Sequence, residues 1–200
     1  MGVRKIDNRR DILLLLLYSP GTKQNVNEPI TGRTRIVKML FLFQKEALPH
    51  FRRGTAINED NFYQFFAWKF GPFSREVYDD LTFFTLRGFI ETDDATEDAL
   101  PESAAEWDLW LTSSDADLDE PTVVDYNEQL FRLTSKGQQY AATLYETLTT
   151  QQKTLLREFK KKFQRTPLRA ILEYVYEEYQ EMTEKSEIRE KILGSRERQS

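Results

Sequence analysis

The sequence predicts a mainly α-helical α+β fold with a core that resembles a winged helix-turn-helix. Apolar residues recur at helical spacing along most of the chain. Two short extended segments, 89–92 and 128–133, lie on either side of an acidic stretch, and a capped helix immediately precedes the first of them. Three helices followed by a strand, a long excursion and a second strand are typical of a winged helix. The excursion is then an enlarged β-hairpin wing.

This pattern divides the chain into a winged-helix-like domain and an appendage. The domain covers residues 1–149, and residues 93–128 form its acidic wing insert. Residues 150–193 are expected to form a C-terminal helical extension, and 194–200 a disordered tail. A chain of 200 residues is long enough for one domain with an added helical segment.

The first two helices are predicted from their caps and apolar stripes. Asn8 or Asp11 can cap a helix over 8–18, whose nearly continuous apolar run predicts burial on most sides. Ser19-Pro20-Gly21 ends it, and a loop is expected over 22–32. The second helix is predicted from Thr34 to Ala47, with Leu48-Pro49 as its end.

The segment 59–70 is compatible with a strand or a helix. Strand alternation places Phe62, Gln64, Phe66, Trp68 and Phe70 on one face, whereas a short helix clusters Phe62, Phe65 and Phe66. We favour a helix to about Phe66 and then an extended approach to Gly71-Pro72. Ser74 is the expected N-cap of the third helix, and Gly88 its stop.

The C-terminal third is expected to be helical. Ser135 can cap a helix over about 136–149, and a further helix is predicted over 151–164. Thr166-Pro167 is a start signal for a long helix that runs to Met182. A last short helix, capped by Ser186, extends to Leu193.

The charge distribution is more informative than the net charge of −5. Residues 91–128 hold fourteen acidic side chains and no Lys or Arg, so the rest of the chain is basic, with 28 basic and 19 acidic residues. The absence of cysteine excludes disulfides, thiolate metal sites and a cysteine nucleophile. The apolar run from Ile12 to Tyr18 is too short to span a membrane. These features favour a cytoplasmic protein.

The sequence favours binding over catalysis. His50 is the one histidine, so no multi-histidine metal site can form. Glu158-Phe159-Lys160 matches the end of a restriction-type nuclease motif, but the tripeptide lies in a predicted helix and no strand-borne Asp precedes it. We therefore expect no enzyme activity, no cofactor and no metal.

Basic residues provide the candidates for contacts to double-stranded DNA. Arg33, Arg35 and Lys38 lie at the start and on the polar side of the second helix, where backbone N–H groups also attract phosphate. Arg52 and Arg53 follow that helix, and Lys160-Lys161-Lys162 lie further along the chain. The helix after Gly71-Pro72 is a poorer candidate. Its acidic residues would repel phosphate: Glu76, Asp79 and Asp80.

Three aromatic residues are the candidates for contacts to a protein partner. Trp107 and Trp110 lie in the polar insert, where tryptophan often marks an anchor. Tyr176 lies off the apolar stripe of its helix and is expected to face a partner. The C-terminal helices are also candidates for a homodimer contact, because added terminal helices often pair.

Three segments together resemble the YwgA-like prokaryotic family and, more distantly, the Panacea-domain (SocA-like) antitoxins. They are Thr31–Leu40, the aromatic-Gly-Pro turn Phe70–Ser74, and Leu86–Ile90. A fourth, Phe131–Ala141, looks like the end of a winged-helix unit. The resemblance covers about residues 10–145. It implies interaction with a toxin or a similar operon-encoded protein, whereas the long acidic insert and the segment 150–193 have no counterpart in it.

Overall fold

The computed structural model describes residues 6–53, 55–93, 129–186 and 188–194. Trp107 and Trp110, the body of the acidic insert and the tail beyond Gly194 lie outside these ranges. Within them the fold is mostly helical with a small antiparallel sheet, so the predicted α+β class is confirmed.

The helices and strands follow one another in a mixed order. The helices are α1 Arg9–Tyr18, α2 Arg33–Leu42, α3 Leu48–Phe51, α4 Arg75–Leu86, α5 Ser135–Glu146, α6 Thr150–Arg165, α7 Leu168–Glu178 and α8 Arg189–Gly194. A π-helical turn, Phe43–Ala47, joins α2 to α3, and a 3₁₀ turn, Gln180–Met182, follows α7. The strands are β1 Ile30–Thr31, β2 Phe66–Trp68, β3 Gly71–Phe73, β4 Ile90–Thr92 and β5 Leu130–Leu133.

The three-stranded sheet has the order β1-β5-β4, and both pairings are antiparallel. Ile90 lies opposite Leu133 and Ile30 opposite Phe131. The two strands expected on either side of the acidic insert therefore do pair with each other. Strand β1 falls inside the expected loop 22–32, because two residues are too few to give an alternating pattern.

Helix α1 is the centre of the apolar core. Asn8 caps it by accepting a hydrogen bond from the backbone N–H of Asp11. All residues from Ile12 to Leu17 are buried, and α1 packs against α5, α6 and β5. A helix that is apolar on all sides must be enclosed in this way, so the predicted burial is confirmed.

The helix favoured for residues 59–66 is wrong. Asn58 forms a turn by accepting from the N–H groups of Asp60 and Asn61, and β2 then pairs with β3 as a hairpin. The alternating pattern is the correct signal for Phe66 and Trp68, whose side chains share one face of the hairpin and pack together.

The predicted end of the second helix at Leu48-Pro49 is also wrong. The N–H of Leu48 donates to the carbonyl of Phe43, which is the wider π-helical spacing, and the chain continues into α3. Pro49 lies in the first turn of α3, a position at which proline is tolerated.

Two other predicted boundaries move by a few residues, and one predicted cap makes no capping hydrogen bond. Thr134, and not Ser135, caps α5, because its hydroxyl accepts from the N–H of Gly137. Ser74 does occupy the N-cap position of α4, but its side chain makes no capping hydrogen bond. Helix α7 ends at Glu178, short of Met182.

The C-terminal helices share the core of the N-terminal segment. Thr149 and Gln152 form a capping box at the start of α6, and Phe159 of α6 packs edge-on against Phe43. Helix α7 buries Ile171, Leu172 and Val175. In the described part of the chain, no helix has both the length and the apolar character needed to cross a bilayer.

Two glycines provide a matched test of the turn that opens α4. Gly71 has φ +82°, and an added Cβ would lie 3.0 Å from Cε2 of buried Tyr176. Gly88, just after α4, has φ +67° but open space around it. Replacing Gly88 by alanine should cost about 1 kcal/mol of the free energy of unfolding, through backbone strain alone.

Gly71→Ala should cost more, about 2 to 3 kcal/mol, because the contact with Tyr176 adds to the strain. Urea unfolding of both variants, followed by circular dichroism, gives the comparison. Equal losses of stability would show that the packing of Gly71 against α7 does not contribute.

Candidate nucleic-acid interface

Lys38 is buried inside the protein, so its predicted contact with DNA is wrong. The residue is 3% exposed, and its Nζ donates to the carbonyl oxygens of Phe70 and Pro72 at 2.7 and 2.8 Å. Burial lowers the pKa of Lys38 to about 7. The side chain holds the Gly-Pro turn against α2 and cannot reach a phosphate.

Arg35 and Arg33 also make contacts within the fold. Nη1 of Arg35 donates to the carbonyls of Phe163 and Thr166, both at 2.6 Å, and so satisfies the C-terminal end of α6. The guanidinium of Arg33 lies 5.1 Å from the ring centroid of Tyr78. Both arginines are half-buried. Their contacts connect the start of α2 to α4 on one side and to α6 on the other.

Arg52 and Arg53 are exposed and lie beside the first turn of α6. The side-chain amide of Gln152 donates to the carbonyls of Phe51 and Arg53, at 2.7 and 3.0 Å. These two hydrogen bonds hold the turn after α3 against α6. The structure thus brings the predicted pair Arg52-Arg53 to the N-terminal end of α6, and Arg35 to its C-terminal end.

Helix α6 carries a row of four cations that we call the basic stripe: the exposed Arg157 and Arg165 and the half-buried Lys153 and Lys161. Residues four apart in a helix lie on one face, about 6 Å apart along the axis, so the stripe is about 18 Å long. Leu156, Phe159 and Phe163 occupy the opposite, buried face. The sequence contains this signal, because all four positions are basic at a constant spacing, but of the four only Lys161 is among the sequence-based candidates.

The basic stripe has little compensating negative charge. Helix α6 has six basic residues and one acidic residue, Glu158, which pairs with Arg157 at 3.0 Å. Within the described ranges no carboxylate forms an ion pair with Lys161 or Arg165. Like charges four residues apart destabilise a helix by about 0.2 to 0.5 kcal/mol per pair. An anionic partner would remove this cost.

Lys160 lies on the buried side of α6 and performs a structural role. Its Nζ donates to the carbonyls of Leu17 and Ser19 at 2.7 and 2.8 Å, at the C-terminal end of α1. Burial lowers the pKa of Lys160 to about 7, although Glu28 nearby opposes the shift. The ammonium group therefore serves the junction of α6 with α1 and is not available to a phosphate.

The charged side chains of the nuclease-like tripeptide point in different directions. Lys160 is directed into the protein, toward the end of α1. Glu158 lies at the surface, where it pairs with Arg157. The two side chains therefore do not meet in one site.

Glu28, close to Lys160, holds the loop after α1 in place by accepting hydrogen bonds from its backbone. Burial alone would raise the pKa of Glu28, but hydrogen bonds from the backbone N–H groups of Lys23, Gly21 and Asn25 lower it below its usual value. A carboxylate with three N–H donors is well satisfied without a cation. The loop after α1 is thus fixed by its own backbone.

Helix α4 presents fewer acids than its sequence suggests. The Asp80 carboxylate is fully buried and accepts from Nε of Arg9 and Nε of Arg10, at 3.0 and 2.6 Å. Glu76 pairs with Arg9 at 2.8 Å. The expectation that Asp80 would repel phosphate is therefore wrong, because this buried carboxylate is paired with Arg9 and Arg10 and holds α4 against α1.

Tyr176 does not face a partner. The residue is 0% exposed, and its hydroxyl forms a 2.6 Å hydrogen bond with that of Ser186. The buried stripe of α7 is wide enough to include it, since Leu172, Val175 and Tyr176 are adjacent on the helix surface. Of the three predicted partner residues, this is the one inside the described ranges, and its predicted role is wrong.

Comparison of the chain with protein-family models, curated proteins and solved structures gives no match.

The two buried lysines predict that the stability of the fold depends on pH. Each holds a pKa of about 7 in the folded protein, against 10.5 for an exposed lysine. Between these values the unfolded chain binds more protons than the folded one, so the free energy of unfolding should rise as the pH increases from about 7 to about 9. For each lysine, the free energy of unfolding rises by at most about 1.4 kcal/mol per pH unit.

Urea unfolding at about pH 7, 8 and 9, at constant ionic strength, measures this dependence. Lys38→Met should remove about half of the slope, because methionine fills a similar volume without a titrating group. A flat stability profile in the unmodified protein, or the same slope in Lys38→Met, would contradict the inference. The raised pKa values of Tyr63 and Tyr176 affect stability only at higher pH.

Proposed function

We propose that this chain is a non-enzymatic binding protein that contacts double-stranded DNA through the basic stripe of α6, with Arg52 and Arg53 extending the surface at one end. The observation that supports it is the regular row of four cations on a helix with a single acidic residue. Lysine and arginine side chains bind DNA mainly by neutralising phosphates and releasing counterions. This makes α6, and not α2, the main candidate interface.

The dimensions of the stripe suit a nucleic-acid backbone. Four cations over about 18 Å can follow a row of phosphates, and an α-helix also fits the major groove of B-DNA, about 12 Å wide. Lysine and arginine at this spacing give contacts that do not depend on base identity. The proposed interface therefore supplies affinity and positioning more than sequence preference.

The strand order supports a winged-helix-like core as part of the proposal. In a winged helix, the strand between the first two helices pairs with the second strand of the wing hairpin, which gives the order β1-β5-β4 seen here. In that arrangement α4 takes the place of the recognition helix. Arg75 is the one basic residue of α4, and the exposed side chains that follow it include acidic Asp79 and apolar Phe83 and Leu86, so we place the DNA contact on α6.

A protein adaptor without DNA binding is the alternative function. The exposed apolar residues at the end of α4 favour it, because they suit a protein surface better than a phosphate backbone. The resemblance to antitoxins also implies a toxin or operon-encoded partner. A homodimer through the C-terminal helices stays a prediction.

The salt dependence of DNA binding tests the proposed interface. Anisotropy of a labelled duplex of about 25 base pairs should show an affinity that falls steeply between about 50 and 300 mM KCl. The double variant Lys161→Gln/Arg165→Gln should reduce the slope of log affinity against log salt by about 2, since two phosphate contacts are lost.

The matched control is Arg75→Gln/Arg87→Gln, which removes the same charge from exposed positions on and beside α4. This pair should leave the slope nearly unchanged. If the control pair reduces the slope and the α6 pair does not, α4 is the interface and the assignment to α6 is wrong. If the unmodified protein does not bind the duplex at low salt, the adaptor function is favoured instead.

A further inference from the structure

The C-terminal end of α4 presents two apolar side chains to solvent. Leu86 is 82% exposed and Phe83, one turn earlier, is 36% exposed. Residues three apart in a helix are neighbours on its surface, so the two side chains form one small apolar patch. Single exposed leucines are common on protein surfaces. This pair is a candidate binding site because of the cations that lie around it.

Three cations lie around this patch, and hydrogen bonds hold two of them, Arg10 and Lys136. The guanidinium of Arg10 lies 4.4 Å from the ring centroid of Phe83, and Nε of Arg10 is held at 2.6 Å by buried Asp80. The guanidinium of Arg87 lies 5.5 Å from the same ring. Nζ of Lys136 donates to the carbonyl of Arg87 at 2.9 Å. The patch therefore has a positively charged rim.

We propose that Phe83 and Leu86, with Arg10, Arg87 and Lys136 around them, form a docking surface for an acidic segment of a partner protein that inserts apolar side chains. The apolar pair would form the centre of the contact, and the cations its rim. An apolar centre with a polar rim is the usual arrangement of a protein–protein interface.

The charge of the rim decides the chemistry of the partner. Arg10 is paired with buried Asp80, so Arg87 and Lys136 supply the uncompensated charge of the rim. These two cations outnumber the exposed carboxylate of Asp79, one turn before Phe83, so the rim attracts a negatively charged partner. A nucleic acid is also negative, but it offers little apolar surface to cover Leu86 unless its bases are unstacked. An acidic protein segment with leucine or similar side chains satisfies both the patch and its rim.

The fixed positions of the cations favour binding as well. Arg10 is already held by Asp80 and stacked on Phe83, and Lys136 is held by the carbonyl of Arg87. Ordering a free long side chain weakens binding, and here part of that ordering is complete before the partner arrives. This surface is separate from the basic stripe, so the inference does not depend on the proposed DNA contact.

A synthetic peptide provides the probe. It is a fluorescent amphipathic peptide of about 18 residues, with leucine at helical spacing on one face and glutamate on the other. Anisotropy titration of the full-length protein should show saturable binding of this peptide. It should show at least about tenfold weaker binding of the same peptide with lysine in place of glutamate, because the rim then repels it.

Leu86→Ser should weaken binding of the acidic peptide by about tenfold or more, and this exposed residue can be changed without disturbing the core. Val26→Ser is the matched control, since Val26 is an exposed aliphatic residue in the loop after α1, and it should leave the affinity unchanged. Equal affinity in Leu86→Ser, or no binding of the acidic peptide, would overturn the proposal. Loss of duplex binding in Leu86→Ser, without an effect on the peptide, would assign the patch to nucleic acid instead.

Discussion

The fold depends on two buried lysines that each bind two backbone carbonyls from distant parts of the chain. Lys160 joins α6 to the end of α1, and Lys38 joins α2 to the turn that opens α4. Unpaired buried carbonyls are costly, and those of Leu17 and Ser19 lie at the C-terminal end of α1, where the helix supplies no further N–H donors. The lysines therefore fix how the first helix, the Gly-Pro turn and the C-terminal helices meet.

The structural role of these lysines shows a limit of prediction from pattern. A lysine on a helix is normally interpreted as a solvent-facing residue, and the prediction that Lys38 contacts DNA follows this rule. Its neighbours carry a contrary signal, because Lys38 lies within the buried run Ile36–Phe43. Lys160 likewise has the spacing of the buried residues Leu156 and Phe163. Helical spacing identifies the buried face, but which carbonyls need a donor depends on tertiary packing.

The helices and the β4–β5 pair are predictable from local signals, whereas the hairpin β2–β3 is not. A helix cap such as Asn8, a stop such as Gly88 and an apolar stripe each depend on residues within one or two helical turns. The positions of these helices can therefore be predicted from the sequence alone. The choice of strand or helix over 59–70 depends on contacts between β2 and β3 and with the 3₁₀ turn after α7. Such non-local contacts override a weak local preference.

The distribution of cations explains why the candidate interface lies on α6 and not on α2. Arginines at the start of α2 lie between other elements and bind their carbonyls or rings, so their charge is used within the fold. On the solvent side of α6, Glu158 is the one acidic residue of the helix, and it pairs with a single member of the stripe. A basic residue becomes a candidate for binding only when the fold leaves some of its donors at the surface. This condition excludes Lys38 and Lys160, and it leaves the basic stripe and the rim of the α4 patch as the two surfaces that we propose for binding.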